Sequence, residues 1–327
     1  MDGADFSRWL GGIESLSLAQ LEQAVAAVGE RADAEKRSER EGAVDEAGKK
    51  RLERLGCPHC AGREVVAWGR AAGAARYRCK ACARTFNALT NTPMARLRKK
   101  QRWPVNAQAM IEATSVATAA QRCGVHYTTA FRWRHRFLSS LSLDKPKTLV
   151  GIVEADETFI LESSKGRPPP AYRKARKRGG KARHPGLFFQ NIPILVARDR
   201  QGATLDAVLA NVDGASVAQA LGGAVTPDNQ LVCDGGKAIL AFARKAKIPV
   251  HVAPAPGKPR PEAPDIHINN VNAYHSRLKE WMRRFHGVAT KNLPNYLGWR
   301  RALEALGENA TPAKWIDGAM GIGPYQQ

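Results

Sequence analysis

Two sets of residues in this chain have the types and spacing for chemistry. The first is four cysteines in two C-x-x-C knuckles, Cys57-Pro-His-Cys60 and Cys79-Lys-Ala-Cys82, with eighteen residues between them. Four thiolates at that spacing can close a tetrahedral Zn²⁺ site, and the intervening residues suit a short β-hairpin. His59 sits inside a knuckle and is read as a neighbour, because four sulfurs suffice. A redox dithiol would need one C-x-x-C beside a βαβ unit, so two pairs argue for structural zinc.

The second set is a knot of carboxylates, Glu154, Asp156 and Glu157, directly after the apolar run Leu149 to Val153. Aspartate is depleted in strands and resists burial, so an acid within an apolar strand asks for a counter-charge such as a divalent metal. The two-residue strand period puts Glu154 and Asp156 on one face and Glu157 on the other. Taken alone, the stretch reads equally well as an edge strand whose acids face water. Asp234 ends a second strand-like run, Gln230-Leu-Val-Cys-Asp. Asn272 and Lys279 are seven apart and share one helix face. Aspartates on two strands and a polar side chain on a later helix can converge on two metal ions about 4 Å apart, an arrangement suited to phosphoryl transfer.

The composition points to the partner. Among 327 residues, 51 lysines and arginines outnumber 30 acids, giving a net charge of +21 and a pI near 10.1. That excess implies a polyanion. No apolar run approaches the ~20 residues of a membrane span, and the N-terminus lacks a signal-peptide core. DNA or RNA in the cytoplasm is therefore the expected partner, with no membrane; the motifs below narrow that to double-stranded DNA at the nucleoid. Six cysteines are too few for a disulfide scaffold in a chain this long.

The positioning elements follow from periodicity and punctuation. Ser17 to Gln20 has capping-box form ahead of the stripe Leu21, Val25, Val28, and Arg31 to Arg54 reads as an exposed helix or a mobile linker. In the ribbon, Glu64–Trp68 and Ala75–Arg78 read as strands, with Phe86 packing on the metal core and Arg76, Arg78, Lys80 and Arg84 available to phosphates. Val105 to Ala113, Val116 to Cys123 and Tyr127 to Leu138 read as helices, the last two joined by a glycine-bearing turn in helix-turn-helix form. Ala130, Trp133 and Phe137 make the buried stripe. Thr128, Thr129, Arg132 and Arg136 lie off it and are candidate DNA contacts. An ordinary helical hairpin is the competing reading.

Ser163 to Gly186 is a basic loop that can follow phosphates, with Lys174, Arg176, Lys177 and Arg178 among its cations; Arg283 adds a later one. Three antiparallel strands, a helix, a strand, a helix and a strand then match an RNase H-like order. Pro254 to Pro264 is a loop, and a long helix opens at His267 with the apolar stripe Val271, Tyr274, Leu278, Met282 and Phe285.

This order of parts resembles the bacterial insertion-sequence transposases of the insertion-sequence 1595 type. The resemblance is carried by the two knuckles, by Cys123-Gly-Val with Thr129-Ala-Phe-Arg-Trp-Arg-His135, and by Val153-Glu-Ala-Asp156-Glu-Thr-Phe159. Val232-Cys-Asp234-Gly and Val271-Asn272-Ala-Tyr-His-Ser-Arg-Leu-Lys279 continue it. It implies a multidomain α+β chain: a helical arm (1–52), a zinc ribbon (53–92), a helix-turn-helix (100–142), an RNase H-like mixed α/β catalytic domain (148–301) and a tail (302–327). It implies Asp156, Asp234 and Asn272 as ligands to catalytic Mg²⁺ or Mn²⁺, and Lys279 as a phosphate contact. Asn272 stands where many relatives have glutamate, and His267, Asn269, Glu154 or Glu157 are the candidates to compensate. The implied activity is cleavage and transfer of DNA strands at terminal inverted repeats, with a homodimer or larger assembly holding transposon ends and target. The alternatives are a DNA-binding regulator with an inert core, or an RNase H-like nuclease or resolvase.

Overall fold

The computed structural model describes residues 2–71, 74–174, 176, 179, 180, 184, 186, 189–254 and 263–326, without the side chains of 32–41, 43 and 326. The chain divides into two compact units, residues 1–88 with 97–104, and residues 89–96 with 105–327.

In the first unit, α1 (Gly3–Gly12) precedes α2 (Leu18–Leu55). Ser17 and Gln20 exchange side-chain and backbone hydrogen bonds, so the capping box forms as expected. The charged stretch from Arg31 continues that 38-residue helix without a break. Strands β1 (Val65–Ala71), β2 (Ala74–Cys79) and β3 (Thr85–Asn87) form an antiparallel sheet in sequence order. The third strand escaped the sequence reading because three residues carry no periodic signal. It places Phe86 on Cys57 and Cys79, with Leu52 of α2 closing the cluster.

The second unit contains α4 (Val116–Cys123) and α5 (Tyr127–Leu141), joined through Gly124 in the left-handed region at φ 59°. It also takes in most of α3 (Trp103–Ile111). Its sheet contains β4 (Ile152–Leu161), β5 (Asn191–Asp199), β6 (Thr204–Val208), β7 (Gln230–Cys233) and β8 (Val250–Val252), ordered β6-β5-β4-β7-β8. β4, β5 and β6 pair antiparallel, while β4, β7 and β8 pair parallel. Val153 and Ala155 of β4 face a core shared with α6 (Gly214–Leu221) and α7 (Lys237–Ala246), through Val217, Leu221, Ile239 and Phe242. Glu154, one residue out of phase, meets α8 (Asn269–Arg283).

Residues 302–326, expected as a tail, contain a further packed helix. After α9 (Leu293–Leu306), α10 (Pro312–Ala319) buries Trp315 and Ile316, and Ser140 Oγ of α5 donates to Ala319 O at 2.8 Å. A Cβ at Gly298 of α9 would lie 2.6 Å from the Leu141 carbonyl oxygen, so only glycine allows this crossing. Residues 105–142 and 302–326 of the expected helix-turn-helix and tail thus share one unit with the large sheet, while 100–104 fall in the first unit. Sequence periodicity marks the helices between residues 105 and 138 but not their partners.

Arg301 of α9 ties the parts together. Its guanidinium pairs with Asp206 of β6, with both side chains 1% exposed. It also donates to the carbonyls of Leu141, Ser142 and Asp144 at the end of α5. Tyr274 of α8 donates to Asp206 at 3.2 Å. Removing one member of a buried, hydrogen-bonded ion pair costs about 3 to 5 kcal/mol. Arg301→Ala is accordingly expected to lower the unfolding free energy of the second unit by about that much in urea titrations. A loss under roughly 1 kcal/mol would show the clamp to be dispensable.

Candidate metal centres and nucleic-acid contacts

The four knuckle sulfurs all lie within 4.8 Å of one another. Cys57 Sγ is 3.7 Å from Cys82 Sγ, and Cys60 Sγ is 3.6 Å from Cys79 Sγ. A tetrahedral Zn²⁺ with sulfur at ~2.3 Å spaces its ligands about 3.8 Å apart. The donor set and its spacing therefore fit zinc. Burial opposes the Cys57 thiolate, but the His59 and Cys60 amides and the facing Cys82 and Cys79 thiols outweigh it and bring its pKa down to about 7. His59 stands edge-on to Phe86, 6.1 Å away, as a neighbour of the sulfurs.

The second group forms where the parallel ladder stops. The last β4–β7 pair is Glu154 with Val232, and two residues further along each strand come Asp156 and Asp234. Past that pair the flank of β4 is open. Asp156 folds over it to accept the Glu157 amide at 2.8 Å, and Asp234 accepts the Gly236 amide at 2.9 Å. Donor atoms of Asp156, Glu157 and Asp234 all lie within 4.8 Å of one another. Glu157, expected on the opposite face, joins the group because strict alternation of faces fails to confine a long side chain at an open strand edge. A Cβ at Gly236 would sit 3.2 Å from Asp234 Oδ1 and 3.4 Å from Glu157 Oε2.

Three carboxylates this close repel one another. Burial first, then the Asp234 charge, raises the Asp156 carboxyl from 3.8 to about 7, with Lys279 acting the other way. The same causes raise Glu157. Glu157 Oε1 is buried and has no hydrogen-bond partner among the described residues. Crowded acids and an orphaned buried oxygen match what a hard divalent cation binds.

Glu154 takes no part in that group. Its buried carboxylate accepts the Val271 amide at 2.8 Å and the Asn270 side chain at 2.9 Å. Arg200 lies 2.7 Å away and His267 3.3 Å. It grips the first turn of α8, and His267 is engaged there too. One turn later, His275 brings Nδ1 to 3.6 Å from Asp156 Oδ2. Burial, then Lys279, lowers the His275 pKa to about 4. Glu154 and Asp156 thus do share a face, both directed at α8. Asn272 and Lys279 are exposed on that helix. The sequence reading passed over His275, whose signal was being a polar residue inside the apolar stripe between Val271 and Leu278.

Among the candidate DNA contacts, Thr128 and Arg132 are exposed and Thr129 half-buried on α5. Arg136 instead donates to the carbonyls of Pro93 and Ala95, so its guanidinium holds a loop. Arg176 likewise binds the Glu162 carbonyl and the Gln190 side chain. Lys174 is exposed, and Lys177 and Arg178 lie outside the described residues. Arg283 makes an exposed pair with Glu280 at 2.6 Å. Such pairs contribute little and can yield to a phosphate.

Comparison with known proteins adds a second line. Residues 148–300 match the ISXO2-like transposase domain. The chain is also 29% identical over 254 residues to an uncharacterised protein in transposable element ISH50 of Halobacterium salinarum, a match covering 74% of this chain and 82% of that relative.

Two outcomes follow from the two centres. Purified chain is expected to carry about one Zn²⁺, and Cys79→Ser to lose it together with the ordered ribbon, since metal binding supplies the folding free energy of so small a core. Metal analysis finding no zinc in the folded chain would contradict this. For the acids, the folded pKa of Asp156 lies above its unfolded value. The stabilisation from its bound proton is therefore complete below about pH 4 and fades as pH rises through about 7. Without added Mg²⁺ or Mn²⁺, Asp156→Asn is expected to melt higher than the parent at pH 8 and equally at pH 4. It is also expected to lose the melting-temperature gain that Mn²⁺ gives the parent. Identical melting at pH 8 would refute the crowding.

Proposed function

This chain is a relative of the insertion-sequence 1595-type transposases, and from that premise we propose that it binds terminal inverted repeats and catalyses metal-dependent cleavage and joining of DNA strands. The observation that carries the reading is the convergence of Asp156, Glu157 and Asp234 where the β4–β7 ladder ends. These residues would hold the Mg²⁺ or Mn²⁺ ions, with Asn272 on the facing helix. Such ions, when bound, polarise the scissile phosphate and make a hydroxyl oxygen more nucleophilic.

The chain's own groups do the rest. Glu154 holds α8 against β4, which keeps Lys279 close enough to act on Asp156. Lys279 would offer a point charge to a phosphate of the bound end. The strand order, antiparallel on one side of β4 and parallel on the other, supports an RNase H-like core. The tight turn between α4 and α5 supports a helix-turn-helix, with Thr128, Thr129 and Arg132 toward the groove. Lys174 and Arg283 would add phosphate contacts, and two chains or more would hold paired ends. The rival reading, a regulator with an inert core, draws on the neutral amide at 272. Glu157 weighs against it by supplying a third carboxylate.

The test is incubation with end-sequence duplex and Mn²⁺ or Mg²⁺. The parent is expected to nick and join strands, and Asp156→Ala and Asp234→Ala to bind the duplex without cutting it. Arg132→Ala should weaken binding and lower the slope of log affinity against log salt by about one. Equal cutting by the aspartate variants would end the catalytic reading.

A further inference from the structure

Nothing so far accounts for His275. The residue is 6% exposed, its Nδ1 faces Asp156 Oδ2 at 3.6 Å, and its buried Nε2 has no hydrogen-bond partner among the described residues. A separation of 3.6 Å is too long for a hydrogen bond. A buried imidazole left in that condition gives up solvation without return. The same spacing has another meaning. Two donor atoms that bind one ion at ~2.1 Å each, with an angle between 90° and about 120°, lie about 3 to 3.6 Å apart.

We propose that His275 is a nitrogen ligand to the divalent ion held by Asp156, so that α8 delivers an imidazole to the metal one turn after the neutral amide of Asn272. The proposal rests on the metal-centre reading above; His275 stands outside the three carboxylates whose donors all lie within 4.8 Å of one another, so Asp156 is the ligand that it shares. Position is what singles out this histidine. Glu154 grips the Val271 amide and the Asn270 side chain, which fixes the helical turn running from Val271 to His275 against β4. His267, the other histidine of this region, is taken up by Arg200 and Glu154. The chain thus offers oxygen donors from the strands and a nitrogen donor from the helix. A nitrogen donor shifts preference from Mg²⁺ and Ca²⁺ toward Mn²⁺ and later divalents.

The test uses the zinc-loaded full-length chain titrated with Mn²⁺, followed by pulsed electron paramagnetic resonance of the bound ion. The parent is expected to show ¹⁴N modulation of imidazole type, converted to the ¹⁵N pattern when its histidines are ¹⁵N-labelled. His275→Ala should lose the modulation, bind Mn²⁺ about tenfold more weakly or worse, and keep its zinc and circular dichroism. The labelled parent decides the matter even where the variant fails to fold. Bound Mn²⁺ without nitrogen coupling in the parent, or coupling retained in His275→Ala, overturns the assignment. A parent that binds no Mn²⁺, or an Asp156→Asn variant that binds it undiminished, overturns the metal-centre reading itself.

Discussion

The site in the second unit depends on one buried charge. Glu154 sits in the middle of β4 with its carboxylate out of water, where an unpaired anion would be prohibitive. Four groups answer it: the Val271 amide, the Asn270 side chain, Arg200 and His267. Three of the four belong to α8 or to the residues leading into it, so satisfying Glu154 and placing α8 are the same event. Once that turn is fixed, helical geometry carries His275 and Lys279 to the Asp156 end of the strand.

The carboxylates beyond Glu154 are arranged oppositely. Asp156, Glu157 and Asp234 collect where β7 has ended and β4 runs on, and no lysine or arginine pairs with them among the described salt bridges. Their mutual repulsion and burial raise the Asp156 and Glu157 pKa values. The neighbouring acids Glu162, Asp206 and Glu304 all have arginine partners. Cations are plentiful in a chain of net charge +21, so the unpaired group is a local arrangement and not a shortage. A site of that kind is matched to cations that come and go, or to ions held for chemistry.

Much of this was legible in the sequence where the signal is local. The knuckle spacing gave the sulfur cluster, Ser17 and Gln20 gave the helix start, and the Gly124 turn gave the α4–α5 junction. Asp156 and Asp234 were marked as acids ending apolar runs. The errors arose where a side chain's role depends on a neighbour distant in the chain. Arg136 and Arg176 looked like free cations, but backbone carbonyls more than ten residues away claim them. Glu157 was assigned by strand alternation, which ceases to constrain a glutamate once the adjoining strand stops. His275 drew no assignment from the sequence, and only the packing of α8 on β4 brings it to Asp156. The C-terminal residues lacked a strong period; Trp299 finds a buried partner on α3, Arg301 finds partners on α5 and β6, and Trp315 is itself buried.

Asp156 and Glu157 of β4, with Asp234 just past β7, are proposed to form a divalent-metal centre. Crystals of the zinc-loaded chain soaked in Mn²⁺, with anomalous differences collected on the long-wavelength side of the zinc edge, test it most directly. A manganese peak is expected within coordination distance of Asp156, Asp234 and Glu157, separate from the sulfur cluster. Crystals that bind manganese elsewhere, or leave those three carboxylates without an anomalous peak, would contradict it.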